Sequence, residues 1–178
     1  MAQLSQFVVG RDRPGIVAAV AERLLAHDVN IEDSRSANLR GHFAMMLLLS
    51  APPEVDGEAL ANELVALGER IGLEWVWLTD VADLPPDVPA PTHVVTVYGA
   101  DHPGIVHAAT SALAARGVNI ADLQTRLLGT EEAPAYVMVL EVAAPAGVDV
   151  TEIDRLLAAV AAAQGVEVSV RPLDSDPL

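Results

Sequence analysis

Two short segments hold the residue types best suited to gripping a small charged molecule: GRDRPG from Gly10 and GADHPG from Gly99, each lying between a β-rich run and a helical stripe. Proline sets φ near the helical value and pushes the residue before it out of the helical region, so Arg13 and His102 are read at the cap, with Pro14 and Pro103 opening the helix. Neither Arg nor His offers the short oxygen that normally accepts from the first-turn amides. The donors on Gly15 and Ile16, and on Gly104 and Ile105, are left for another acceptor, and glycine lets it approach the backbone closely. A carboxylate fits. Asp12 and Asp101, two positions ahead of each proline, offer the opposite charge for an ammonium group. Asn30 and Asn119 come 18 residues after those acids, followed by Ile31 and Ile120. Their amides add a donor and an acceptor to the same loop if the strand entry lies beside it. A purely structural reading accounts for each residue separately, with Asp12 capping the helix, Gly15 allowing close packing and Asn30 shaping the strand entry.

Other candidate chemistry is thin. His27, His42, His93, His102 and His107 show no metal-ligand spacing, and the chain has no cysteine. No nucleophile stands beside a positioned base, and each Pro-Gly is followed by apolar residues where a phosphate loop needs glycine and lysine. The reading is therefore non-enzymatic: no catalytic residue, no metal and no cofactor. Arg35 and Arg126 fall on the strands after the helices, where they meet either a ligand carboxylate or a surface acid.

The elements that position these loops follow from a repeat. GRDRPGIVAAVAERLLAHDVNIED recurs from Gly99 as GADHPGIVHAATSALAARGVNIAD, 89 positions on. Further along, Phe43, Pro52 and Gly72 match Tyr136, Pro145 and Gly165 at an offset of 93, so four residues are absorbed between Gly129 and Pro134. The prolines at 85, 86, 89 and 91 favour an extended spacer. Domains over 1–82 and 93–178 joined by a Pro-rich linker over 83–92 are expected. Each copy reads as strand, helix, strand, strand, helix, strand. Phe7 to Val9 open the first copy, Ile16, Val17, Val20 and Leu24 make a helical stripe, and Asp28, matched by Gly117, closes the helix in a left-handed residue. Strands over Asn30 to Leu39 and His42 to Ser50 turn at Arg40 and Gly41. Leu60, Leu64, Leu67 and Ile71 stripe the second helix, and Ile153, Leu156, Leu157 and Val160 its twin. The fold class is α+β: two ferredoxin-like βαββαβ domains, antiparallel sheets with helices on one face. The run Phe43 to Leu49 does not alternate, which predicts cover for the helix-free face or the sheet edge from the sister domain or another subunit.

Composition narrows the partners. Of 178 residues 52% are apolar but only 3% aromatic, which disfavours base-stacking surfaces. A formal charge of −15 repels nucleic acid and acidic lipid alike, so neither direct DNA binding nor a membrane is expected. The longest apolar runs fall far short of the roughly 18 residues of a membrane span, and the amino terminus lacks the basic start and apolar segment of a signal peptide. A soluble cytoplasmic protein is expected.

GRDRPGIV with HDVNI, and GADHPGIV with RGVNI, resemble the first-helix motif of ACT domains, small βαββαβ modules that bind amino acids or related metabolites and regulate enzymes or transcription. The resemblance runs twice along nearly the whole chain. It implies ligand contacts from Asp12, Pro14, Gly15, Ile16, Asn30 and Ile31, and from Asp101, Pro103, Gly104, Ile105, Asn119 and Ile120. The sequence departs from several amino-acid-binding members, which carry histidine where it has Gly10 and Gly99. The implied function is a non-catalytic homodimeric regulator in the control of glycine or amino-acid metabolism. It would sense a small amino acid and act on a protein partner, an enzyme or a transcription factor. Enzyme-linked members carry a catalytic domain beside the module, for which a sequence ending at Leu178 leaves no room. The alternative is a dimerisation or regulatory scaffold for a separate enzyme, with no ligand of its own.

Overall fold

Alternation along the strands and helical spacing between them sort the side chains into two cores. The computed structural model of the protein describes residues 2–81, 88–130 and 133–173. Contacts divide the chain into two units, Met1–Pro86 and Asp87–Leu178. Unit 1 runs β1 (Ala2–Arg11), α1 (Ile16–Leu25), β2 (Asn30–Leu39), β3 (His42–Ala51), α2 (Gly57–Arg70) and β4 (Leu73–Asp80). Unit 2 repeats it as β5 (His93–Ala100), α3 (Ile105–Ala114), β6 (Asn119–Thr130), β7 (Ala133–Ala143), α4 (Val150–Gln164) and β8 (Val166–Pro172). The antiparallel sheets are ordered β2-β3-β1-β4 and β6-β7-β5-β8. This is the ferredoxin-like order, in which each helix crosses over to bring the chain back to the same end of the sheet.

Leu4, Val8, Phe43, Met45, Leu47 and Leu49 point from the sheet of unit 1 into a core shared with Ile16, Val20 and Leu24 of α1 and Leu60, Leu64 and Leu67 of α2. Unit 2 matches it with Val95, Val97, Tyr136, Met138 and Leu140 beneath α3 and α4. The hairpin between β2 and β3 turns through Arg40 at φ 55° and Gly41 at φ 87°, and α1 and α3 are followed by left-handed Asp28 and Gly117 as expected. Of the spacer expected over 83–92, residues 83–87 lie outside the described residues. Thr92, its last residue, is tied to the second unit just ahead of β5: its N–H donates to the Val142 carbonyl and its carbonyl accepts from the Leu173 N–H, both at 2.8 Å.

The run Phe43 to Leu49 splits by parity. Its odd members enter the core, while Met46 on the helix-free face is half exposed. There it stands opposite Phe7, whose ring packs on Trp75 and Trp77 at centroid distances of 6.4 and 5.9 Å. The two indoles are themselves about half exposed. All ten residues of β2 are exposed, because the helices cover the inner strands and leave this edge bare on both sides. Among the described residues no helix is long and apolar enough to cross a membrane.

Candidate functional site

Both loops turn into their helices through a left-handed glycine, Gly15 at φ 96° and Gly104 at φ 108°, a conformation that favours glycine. The helix therefore starts at Ile16 and Ile105, and the cap is glycine in each case. This corrects the sequence expectation, which put Arg13 and His102 at the cap and Pro14 and Pro103 in the first turn. The consequence drawn from it stands, since no side chain caps either helix. The first-turn amides thus have no intrahelical or capping acceptor.

Arg13 and His102 instead reach the carboxyl end of the second helix of their own unit. The Arg13 guanidinium lies over Gly72, where an added Cβ would meet its Nη2 at 3.6 Å. His102 puts Nε2 2.8 Å from the Gln164 carbonyl oxygen and Nδ1 3.1 Å from that of Pro103. A cation at a helix carboxyl end opposes the partial negative charge of its unpaired carbonyls. Those two hydrogen bonds, Gln164 first, hold the His102 pKa above its ordinary value; Asp101 adds to the rise and burial works against it.

In unit 1 the loop, α1 and α2 enclose a cleft of about 220 Å³ lined by Arg13, Pro14, Gly15, Ile16, Arg70 and Ile71. Two guanidinium groups and an uncapped helix start make it suited to an anion, within a chain of net charge −15.

The acids do not stand where the spacing suggested. Asp12 caps nothing: its carboxylate accepts from Asn38 Nδ2 at 2.5 Å, and its N–H donates to the Gly41 carbonyl at 2.8 Å. Asn38 in turn accepts from the Gly41 N–H at 2.9 Å, so one amide ties the loop to the β2–β3 turn. Asn30 and Ile31 lie at the opposite end of the sheet, beside Ser50 and Leu49, with Ser50 in turn opposite Gln3. A ten-residue strand, roughly 30 Å, separates them from Asp12. Asn119 and Ile120, opposite Ala143 and Val142, are just as remote from Asp101. Within one unit, therefore, Pro14, Gly15 and Ile16 gather with Asp12, and Pro103, Gly104 and Ile105 with Asp101, while the asparagines stay apart. Arg35 and Arg126 stand mid-strand opposite Met46 and Val137. Among the described residues no cluster of His, Asp or Glu could hold a metal ion.

The pattern of two βαββαβ units, each turning through Asp-x-Pro-Gly into an uncapped helix, agrees with the sequence profiles. ACT-domain profiles match residues 7–77 and 93–157. The chain belongs to the ACT-domain family. It is 30% identical over 154 residues to the glycine cleavage system transcriptional repressor of Escherichia coli, covering 85% of this chain and 80% of that protein. It is 32% identical over 165 residues to phosphoserine phosphatase SerB2 of Mycobacterium tuberculosis, covering 92% of this chain but 39% of the phosphatase. The chain thus spans about two fifths of that relative's length. A crystal structure of an unknown protein from Galdieria sulphuraria matches 97% of this chain and 98% of its own, with a TM-score of 0.77 at 29% identity.

The packing of this chain bears on the two departures noted above. At Gly10 an added Cβ would come within 3.0 Å of the Leu73 backbone, and at Gly99 within 2.8 Å of Val166 Cγ1. The close approach of β4 and β8 leaves no room there for histidine. Sequence reasoning did not bring Asn38, Arg70 or Gln164 to these loops. Asn38 had a signal, an amide two residues before an Arg-Gly turn; Arg70 and Gln164 are brought to the loops only by packing.

Proposed function

We propose that this ACT-domain protein is a non-catalytic regulator that binds a small amino acid at its β–α loops and passes the signal to a protein partner. The observation that carries the reading is the helix start left uncapped behind Gly15 and Gly104, flanked in unit 1 by Arg13 and Arg70. A carboxylate accepting from Ile16 or Ile105 completes what the chain leaves open. The likeness to a glycine cleavage repressor and to the ACT region of a phosphoserine phosphatase supports amino-acid metabolism as the setting. With a net charge of −15, control of transcription runs through another protein rather than through contact with DNA.

The remote asparagines belong to the same proposal through a second copy of the chain. Edge strand β2 is exposed along its whole length, so two copies can pair antiparallel along it. Antiparallel pairing sets the start of one strand against the end of the other. Asn30 of one copy then lies beside the turn that holds Asp12 in its partner, and Asn119 likewise approaches Asp101 through β6. Thermal melting of the full chain against the twenty standard amino acids tests the reading. A ligand at 100 times its dissociation constant adds about 2.7 kcal/mol. No stabilisation by any of them would leave only the scaffold.

A further inference from the structure

The two loops have the same backbone course but not the same chemistry around the acid. In unit 1 the Asp12 carboxylate is met by an N–H donor from within the chain, Asn38 Nδ2. Asn38 stands opposite Phe43 in the β2–β3 ladder. At the equivalent place in the β6–β7 ladder, Leu127 stands opposite Tyr136. The donor is gone, and the apolar ring has gained a hydroxyl. Among the described residues Asp101 has no hydrogen-bond partner.

Tyr136 lies on the core face of β7, opposite Gly99 and so two residues from Asp101. The residue is only 8% exposed, and its hydroxyl completes no hydrogen bond. Burial raises its pKa, the Asp101 carboxylate raises it further, and Thr125 approaches closely enough to offset part of the rise. A buried hydroxyl without a partner costs more than one left in water. Asp101 and Thr125, which bear on it, offer a carboxylate and a second hydroxyl, both able to accept, and among the described residues no N–H donor takes the place that Asn38 holds in unit 1. The group that satisfies such a set is a cation with several N–H donors.

We propose that unit 2 alone holds the ammonium of the amino acid, between the Asp101 carboxylate and the Tyr136 hydroxyl, and that in unit 1 Asn38 permanently fills the equivalent place. This rests on the amino-acid reading above and narrows it to one ligand per chain. The ammonium donates to Asp101 and to the Tyr136 oxygen, while the carboxylate accepts from the first turn of α3 at Ile105. Unit 1 keeps a cleft for a carboxylate but has no free acid with which to select an amine. Tyr136 is the residue that distinguishes an amino acid from a simple carboxylate.

Calorimetric titration of the full chain with each of the twenty standard amino acids tests this. The expected stoichiometry is one per chain. Tyr136→Phe, which copies Phe43 of unit 1 and so suits the fold, should weaken binding about tenfold. Leu127→Asn, at a half-exposed position, should supply the missing donor to Asp101 and weaken binding by about ten- to a hundredfold while the melting temperature holds or rises. Two equivalents per chain, or parental affinity in both variants, would overturn the assignment to unit 2 while leaving the amino-acid reading in place. No heat from any amino acid with the parent chain would remove both.

Discussion

His102 and Gln164 join the two helix ends of unit 2: the imidazole Nε2 lies 2.8 Å from the Gln164 carbonyl oxygen, across 62 residues of sequence. The other ring nitrogen faces the Pro103 carbonyl at 3.1 Å, so the ring must donate twice, which only the imidazolium can do. In unit 1 the Arg13 guanidinium lies at the same junction, over Gly72.

A pH dependence of unit 2 follows. Because the folded-state pKa of His102 is raised above the ordinary 6.5, its contribution to stability is whole below that value and is lost as the pH climbs through the raised one. Thermal melts between about pH 6 and about pH 8 should show a falling midpoint for unit 2, and His102→Arg should flatten the slope. Equal slopes in the parent and His102→Arg would show that the bridge carries no stability.

A second dependence lies on the acid side and belongs to unit 1. Glu63 on α2 accepts from His27 Nε2 at 3.0 Å and from Arg23 Nη1 at 3.1 Å, tying α2 to α1 and to the turn that follows it. His27 is the main cause of its lowered pKa; burial opposes the shift, and Arg23 assists it. The stabilisation is present above the ordinary 4.5 and is lost as the pH falls through the lowered value. The site is well exposed, so the effect should shrink in about 1 M salt, and Glu63→Gln should remove the acid slope in melts at low salt. A slope that survives in Glu63→Gln would assign the acid sensitivity elsewhere.

Gln6 is a stability defect in the core of unit 1. It is fully buried on β1 between Leu4 and Val8, and neither Oε1 nor Nε2 finds a partner among the described residues. The repeat has Val95 at this position, equally buried. Gln6→Met keeps the volume and removes the orphaned amide, and it should stabilise unit 1 by about 1 to 3 kcal/mol in urea titrations. Both tryptophans of the chain, Trp75 and Trp77, lie in β4, so their fluorescence reports this unit alone. An unchanged or lower midpoint would mean that Gln6 is satisfied in solution.

Self-association through β2 should fail when its apolar side chains are charged. Ile31 and Leu39, 37% and 68% exposed, sit at the two ends of the strand. Ile31→Lys with Leu39→Lys places like charges across an antiparallel pairing while leaving the core untouched, so light scattering should give about half the parental mass. The same mass in both would exclude pairing along β2.

Much of this molecule was legible from its sequence because the rules involved are local. The continuous apolar run Phe43 to Leu49 marked a strand and the period-3.6 spacing of Leu60 and Leu64 a helix, although the run's failure to alternate hid the parity that sends Leu47 and Leu49 into the core. Arg40-Gly41, Asp28 and Gly117 announced left-handed turns, and the uncapped helix starts followed from the lack of a Ser, Thr, Asp or Asn beside Pro14 and Pro103. The 89-residue offset showed that the two units share one fold and one loop course.

The candidate site was less legible, because spacing along a chain does not say to which end of a sheet the chain has returned. Asp12 and Asn30, like Asp101 and Asn119, are 18 residues apart, and the crossover through the helix places them at opposite ends of the sheet, so that no single unit brings them together. Asn38 reaches Asp12 across 26 residues and His102 reaches Gln164 across 62, through contacts that no local pattern encodes. The sequence alone determined two similar ACT units with helix starts open to an acceptor. The tertiary structure decided which acid is already occupied, because hydrogen-bond partners are set by which side chains the packed sheet brings opposite one another.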